Sequence, residues 1–507
     1  MFSFFSPDNL FILIILALFA GACFRDLRYG IYLIVFLMPT YLWRTEIFSI
    51  PTTLLELMIY VLFLMWLAGK IYFYFKTTSS PSLLRRGFIQ FLNFSISQFP
   101  RLILGIILLF LGLTISTILS NNIRVSLGIM KGWFIDPLLF FLVLVNTVKT
   151  KKQIANLFSI WTLSGLTVAI ISLVYLITGN LTYDGRLKAF FLSPNHLAMY
   201  LSPPFLMLLI FLLRGKIAGG GELKILDIGN WKLGNWKLGI GKFGNWEIEW
   251  LLDNIFQVSG IIIIFISLYF THSYGAFLGI AAAILYFIVF RYKLLLRGAR
   301  ANAVCEKATR QSSCDSSRIM ARDCRAPFRY RSTSLAITVM IVLCLFILSS
   351  FLFLSADKFQ QIINSNNRSS FHSRLMIWNA SREILKDNFI FGIGPGTFQK
   401  VYLDYADKFS EPYLEWAVPQ PHNIFLAFWL QTGMIGLAGF VLILIWFFDD
   451  VLKHKSATYN LQLAIPIILM IYFLIHGLVD TTYWKNDLSL MFWILIGIAA
   501  INRNTQK

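Results

Sequence analysis

The chain has 507 residues, of which 57% are hydrophobic and only 14% charged, with a mean hydropathy of +0.69. So little charge at this length excludes an ordinary soluble globular protein. The formal net charge is +19, but its placement along the chain marks membrane orientation rather than nucleic-acid binding, so no nucleic-acid partner is expected.

Apolar runs of about 18 or more residues recur, each long enough to cross a ~30 Å hydrocarbon core as a helix. In lipid each segment must satisfy its own backbone polar groups, which makes these runs helices. In chain order the predicted spans are 9–24, 29–43, 53–75, 101–120, 128–148, 154–178, 190–214, 252–272, 275–294, 333–355, 423–448, 460–479 and 486–502. The first two are short enough for one to be re-entrant. The expected fold is all-α: a polytopic integral membrane protein of about 12–13 transmembrane helices with a large helical loop between late spans. Residues 1–178 read as an N-terminal transmembrane bundle and 179–502 as a second transmembrane core. The first apolar run has no basic stretch before it, so it reads as an uncleaved span rather than a signal peptide.

Segments 25–28, 70–101, 149–152, 214–250, 291–331, 449–459 and the C-terminus fall on one side and together carry a formal charge of about +21. The other side sums to about −1. This bias places the basic side in the cytoplasm and the protein, multi-pass, in the cytoplasmic (inner) membrane. The segment 215–250 contains a Gly-Asn-Trp repeat at Gly229, Gly234 and Gly244 and reads as a low-complexity cytoplasmic insertion. Segment 297–331, rich in Arg and Ser, reads as a basic cytoplasmic linker. Cys305, Cys314 and Cys324 are spaced too widely for CxxC metal pairs.

The loop 356–421 lies on the opposite, extracytoplasmic side. Its acidic and basic residues balance, so its arginines are not part of the orienting charge. A polar loop of roughly 65 residues between apolar spans is long enough to require a function. Ser373 can cap a helix to about Asn388 carrying Leu375, Trp378, Ile384 and Leu385 near one face. Gly392, Gly394, Pro395 and Gly396 end that helix and turn the chain. Thr397 can cap a second helix with Phe398, Val401, Tyr402 and Tyr405 as its stripe. The expected hairpin lies on the membrane interface.

Three outer clusters can carry chemistry. His422, beside Asn423 and after Pro419-Gln420-Pro421, opens a span; it reads as a general base or oxygen ligand, or as an interfacial histidine bonding the loop backbone. Arg374, Arg368 and His372 stand in the loop, where guanidinium groups suit an anionic head group but also serve as solvated charges. Arg382 reads as a partner of Glu383. The second cluster is Arg186 and Lys188 at the membrane surface with Asn195 and His196 a turn or two deeper. Helix capping explains Ser193 and Pro194 there, but not His196. The third is His476, Asp480 and Asp487, which flank a short turn between the last two spans; Asp487 is also explained by helix capping. No phosphate loop or HExxH motif is present, so no nucleotide cofactor or metal is expected. An outward-facing site has no ATP, so bond-making energy must arrive in the donor, as in a lipid diphosphate sugar.

These residues resemble the superfamily of O-antigen ligases and Wzy-type O-antigen polymerases. The resemblance rests on Gly185-Arg186 through Phe191, Pro194-Asn195, Thr271-His272-Ser273-Tyr274-Gly275-Ala276, Arg374 with Trp378, Phe391-Gly392-Ile393-Gly394-Pro395-Gly396, His422-Asn423, Gly433, Gly436 and the run His476…Asp480…Asp487. It implies a GT-C-like membrane glycosyltransferase, metal-independent and inverting, with no cofactor. Such enzymes move glycan units from a polyprenyl diphosphate-linked donor to a glycan or lipid acceptor at the outer face. It further implies that Arg186 and Arg374 bind the diphosphate and that His422 assists the acceptor hydroxyl. Many relatives carry an arginine where this chain has Tyr274, so that arginine's role is not carried over. A lipid-linked saccharide flippase and a glycan-to-protein transferase remain the alternatives.

Overall fold

The computed structural model describes residues 7–47, 50–77, 99–212, 246–290, 292, 370–405, 418–453 and 461–504. The expected span 333–355, the linker 297–331, Arg368, most of the 215–250 insertion and Cys305, Cys314 and Cys324 lie outside them. So do residues 356–369 and 406–417 of the expected outer loop.

The described elements are, in order, α1 (Pro7–Arg25), α2 (Leu27–Phe36), a 3-10 turn (Met38–Leu42), β1 (Arg44–Ile47), β2 (Ile50–Thr53), α3 (Leu54–Thr77), α4 (Pro100–Ile118) and α5 (Ile123–Met130). A π-helical turn (Lys131–Ile135) leads into α6 (Asp136–Thr147), followed by α7 (Lys151–Ile177), α8 (Pro194–Leu212), α9 (Trp246–Thr271) and α10 (Tyr274–Phe290). After these come α11 (Ser370–Asp387), α12 (Phe398–Asp404), α13 (Ile424–Lys453), α14 (Leu461–Gly477) and α15 (Asn486–Asn504). Every expected span except 333–355 falls on a described helix. Among the described residues six helical stretches, one of them running from α5 through the π-helical turn into α6, are long and apolar enough to cross a membrane, and five more are shorter apolar helices. The protein is an all-α polytopic membrane protein.

One local expectation is corrected. The predicted span 29–43 is a ten-residue helix capped by Asp26 and followed by a 3-10 turn, about 15 Å of helix and too short to cross. Next comes a small antiparallel hairpin, β1 against β2, pairing Arg44 with Thr53 and Ile47 with Ile50.

The chain forms two compact units. The first comprises Met1–Ser164, Ala356–Lys453 and Phe473–Lys507; the second comprises Gly165–Ser355 and His454–Tyr472.

In the first unit α4 and α13 pack along a seam of glycines. A Cβ on Gly112 would come within 2.3 Å of the Gly436 amide nitrogen, and one on Gly439 within 2.2 Å of the Leu109 nitrogen. Lipid gives no hydrophobic drive for helices to associate, so such backbone-to-backbone approach supplies the dispersion contact instead. α13 is broken at Gly433, whose φ of 69° and ψ of 179° are non-helical. The break is filled by the turn after α11. The Ile393 N–H donates to the Leu430 carbonyl (2.6 Å), and the Met434 N–H donates to the Ile390 carbonyl (3.0 Å). Gly392 (φ 71°) and Gly433 admit this contact because neither carries a Cβ; one on Gly433 would meet the Ile390 oxygen at 2.2 Å.

The loop helices pack on protein. Ile377, Ala380, Ile384 and Leu385 of α11 join Phe398, Val401, Tyr402, Val418 and Leu430 in one buried cluster, with Tyr405 at its edge. The predicted stripe of α12 is thus in the interior, as is half the predicted stripe of α11, whereas Leu375 is exposed. Ser373 lies inside α11 rather than at its start. Thr397 precedes α12 without capping it, because its hydroxyl donates back to the Ile393 and Gly394 carbonyls.

In the second unit α8 is buried almost throughout and packs on α9. Pro203 and Pro204 interrupt its hydrogen bonding, and Gly165 of α7 makes room for the Pro204 ring.

The clamp at Gly433 makes a direct prediction. Gly433→Ala places a methyl at positive φ against a carbonyl and costs about 2 kcal/mol or more. Gly21→Ala, whose Cβ meets nothing within 4 Å, is neutral or slightly stabilising. Thermal unfolding of the detergent-solubilised protein compares the two.

Candidate functional site

His422 and Asp480 form the centre of the first unit's polar cluster. Pro419 and Pro421 bring the chain to α13 through a bent, non-helical segment, and the Trp378 indole of α11 donates to the Pro421 carbonyl (3.0 Å). His422 then adopts φ 48°, a left-handed backbone that non-glycine residues rarely take. Asn423 caps α13: its side-chain Oδ1 accepts from the Phe425 and Leu426 N–H groups, and its side-chain Nδ2 donates to the Leu478 carbonyl (3.0 Å). The Asn423 side chain therefore joins the head of α13 to the turn after α14.

That turn carries Asp480. Its N–H donates to the His476 carbonyl, and its Oδ1 accepts from the Thr481 N–H (2.8 Å) and lies 3.2 Å from the His422 Nδ1. Arg374 of α11 donates its Nε–H to the neighbouring Val479 carbonyl (2.8 Å). Burial alone would raise the Asp480 carboxyl, but His422 and then Arg374 hold it well below the usual carboxylate range. Asp480 is therefore ionised and accepts, so His422 carries its hydrogen on Nδ1 and keeps the Nε2 lone pair. The Asp480 side chain is 6% exposed and that of His422 27%, so the carboxylate is sealed while the imidazole reaches the surface. The result is an oriented imidazole with a buried anion behind it and a guanidinium on the same turn. It can take a proton and stabilise the resulting imidazolium.

The other predicted residues of this unit are placed as follows. His476 is fully buried in the last turn of α14, and Asp487 is buried in the first turn of α15. His372 is exposed on α11. Arg382 is exposed, with its Nε 4.0 Å from Glu383.

The second unit holds the Arg186 cluster by itself. Thr182 and Arg186 close a turn through the Thr182 N–H to Arg186 carbonyl bond, with Gly185 at φ 73°. Arg186 donates from Nε to the Thr271 carbonyl (2.8 Å) and from Nη2 to the Asn195 Oδ1 (2.7 Å), and its Nη1 lies 3.9 Å from Asp184. The Leu187 N–H bonds the Phe270 carbonyl, which ties this turn to the end of α9, where His272 has φ 48°. Lys188 is half-buried. His196 is buried with its ring 4.6 Å from that of Phe191. Arg186, Asn195 and the Thr271–His272 corner are therefore brought together, while His196 faces an aromatic interior.

Residues 259–441 match the model of the Wzy_C family, described as O-antigen ligase. Over those residues the chain is similar to O-antigen ligases. No curated protein matches it. The ligase match takes in the Thr271–Ala276 corner, Arg374, the Gly392–Gly396 turn, His422 and Gly433. Arg186 and Asp480 lie outside the matched residues, yet each bonds or faces one of the matched elements within its own unit.

Sequence reasoning missed Gln431 and Gln420. The Gly396 N–H donates to the Gln431 Oε1, and the Gln431 amide donates to Gln420, which ties the glycine turn to the Pro-Gln-Pro segment. It also missed Glu56, although an acid opening an apolar span is costly unless paired and was readable as a signal.

Asp480→Asn removes the anion behind His422 and destabilises the protein by roughly 1.5–3 kcal/mol near neutral pH. Because the folded Asp480 carboxyl is depressed, this contribution is complete above about pH 4 and fades only at lower pH. Denaturation of both proteins is therefore expected to show a difference at pH 5 that narrows as the pH falls below about 4.

Proposed function

We propose that the protein transfers glycan units from a polyprenyl diphosphate-linked donor at the outer face of the cytoplasmic membrane. The observation that carries this reading is the His422–Asp480 pair with Arg374 bonded to the same turn. The basic segments assigned to the cytoplasmic side support the location, since every residue of this cluster falls in a segment on the opposite side. That arrangement leaves the lipid tail of the donor in the bilayer and its sugars in water.

In the proposed reaction the acceptor hydroxyl approaches the donor's anomeric carbon while His422 Nε2 takes its proton. Asp480 stabilises the imidazolium as it forms, and the buried carboxylate keeps the ring from turning. The new bond joins the acceptor oxygen to the anomeric carbon. The bond from that carbon to the diphosphate oxygen breaks, and the diphosphate leaves with the electron pair. Negative charge grows on the leaving group, so guanidinium groups that bind it more tightly in the transition state lower the barrier. Arg374 fills this role. Attack opposite the leaving group inverts the anomeric centre. Asn423 holds the Leu478 carbonyl and the head of α13 beside His422.

The test is reconstitution in liposomes with a polyprenyl diphosphate oligosaccharide, read by gel and mass spectrometry. Arg374→Ala and His422→Ala are expected to lower transfer by about 10²-fold or more while the protein still inserts. Longer lipid-linked glycans identify a polymerase, and glycan on an added acceptor identifies a ligase. Normal product from either variant removes that residue from the mechanism. Flipping of the donor by the wild-type protein without bond formation overturns the reading in favour of transport.

A further inference from the structure

A second buried polar network in the first unit lies outside the ligase match and beyond the proposed reaction. Glu56, in the first turn of α3, is almost wholly buried. Its Oε2 accepts from the Thr52 hydroxyl (2.8 Å), the Thr53 N–H (3.2 Å) and the Lys131 ammonium (2.7 Å). Its Oε1 accepts from the Asn486 amide (2.9 Å), and the Asn486 oxygen accepts from the Trp133 indole (3.0 Å). Gly132 makes room for both side chains, since a Cβ there would lie 2.8 Å from the Glu56 Oε1 and 2.9 Å from the Asn486 Nδ2.

Asn486 begins α15 and is the far foot of the short turn that carries Asp480. The π-helical turn Lys131–Ile135 presents two more anchors to this turn. The Trp133 carbonyl accepts from the Tyr483 hydroxyl (2.9 Å), and its indole stands edge-on to Trp484 at 6.0 Å. The near foot is held by the Thr482 hydroxyl bond to the Phe473 carbonyl (3.0 Å). The segment enclosed between Phe473 and Thr482 carries the three groups of the candidate site: the Leu478 carbonyl for Asn423, the Val479 carbonyl for Arg374 and the Asp480 carboxylate for His422. A buried ion pair is a poor source of stability because both charges lose water. It is a good source of geometry, because four donors from three segments converge on the one carboxylate.

We propose that Glu56, Trp133 and Asn486 are positioning residues that hold the Asp480 turn against His422, so that the N-terminal helices are part of the transfer machinery. The proposal rests on the glycan-transfer reading for its kinetic arm only.

A reciprocal exchange tests it. In Glu56→Gln the new amide nitrogen faces Asn486, and one of the neighbouring donors loses its acceptor. In Asn486→Asp two carboxylates face each other. In the double variant the amide introduced at 56 donates to the carboxylate introduced at 486. Trp133 still donates to that carboxylate, and the amide oxygen still serves Thr52 and Lys131. Each single variant is expected to lower kcat about tenfold or more with the donor KM changed less than about threefold, and the double to recover to within about threefold of wild type. Hydrogen exchange of the 478–485 amides gives a readout independent of activity: faster in both single variants, restored in the double. Trp133→Phe keeps a ring and removes the N–H, and gives a smaller fall in kcat of about threefold should the single polar variants not accumulate. Wild-type kcat in the single variants or in Trp133→Phe, or a double no better than its worse parent, overturns the proposal. If the wild-type protein transfers no glycan, the transfer reading has failed and exchange alone decides. Restoration in the double then supports the role in holding the turn, and unchanged exchange in the single variants overturns it.

Discussion

The break in α13 at Gly433 is the constraint on which the first unit depends. A helix interrupted in a membrane protein leaves carbonyl and N–H groups without partners where water is scarce, at several kcal/mol each in hydrocarbon. Here the interruption is completed by another segment. The Leu430 carbonyl takes the Ile393 N–H, and the Ile390 carbonyl takes the Met434 N–H. The turn after α11 is therefore spliced into the hydrogen bonding of α13, and α11, which carries Arg374 and Trp378, is registered to the head of the helix that carries His422. The same turn is fixed from its other side by the Ser126 hydroxyl bonding the Pro395 carbonyl (2.9 Å) and by Gly394 against Ser120. Glycine is needed here for close approach as much as for φ.

Given that registration, the site needs few further contacts. Asn423 serves the helix cap and the Leu478 carbonyl with one side chain, and Asp480 serves the Thr481 N–H and His422 with one oxygen. Double use of short side chains keeps the geometry stiff, since each has few rotamers to lose and each lost rotamer would break two bonds. The low exposure of Asp480 raises the strength of its field at His422 and at Arg374. The ion pair acts on the imidazole's orientation and tautomer, and the protein surface is left to the other ring nitrogen.

Much of this was legible in the sequence because it is local. Spans follow from run length, and the loop helices and their apolar faces follow from spacing. His422-Asn423 after Pro-Gln-Pro reads as a helix start with chemistry attached. What was not legible depends on pairs distant in sequence. His422 and Asp480 are 58 positions apart, Arg374 and Val479 are 105, and Glu56 and Asn486 are 430. The sequence names Asp480 as a candidate but cannot say that His422 is its partner. The caps assigned to Ser373 and Thr397 failed for a related reason: small hydroxyl residues satisfy several local geometries, and here the Thr397 hydroxyl takes the Ile393 and Gly394 carbonyls instead. The short hairpin Arg44–Thr53 escaped because strands of four residues leave too little alternation to read.

Backbone strain is a feature of each unit's cluster taken by itself. Among the described residues the non-glycine positions with positive φ are Ala189, His272 and His422. His422 opens the cluster with Asp480. His272 follows Thr271, whose carbonyl takes Arg186, and Ala189 follows the Arg186 turn closely. A conformation that costs on the order of 1–3 kcal/mol persists only where neighbours over-determine it. Around His422 these are the Asn423 cap, the Trp378 bond to Pro421 and the Asp480 carboxylate; around His272 they are the Leu187 to Phe270 backbone bond and the Arg186 guanidinium. At both places the stabilising groups are also those with the chemistry. A substitution that relaxed either corner would be expected to gain local conformational freedom at the expense of the alignment of an imidazole or a guanidinium.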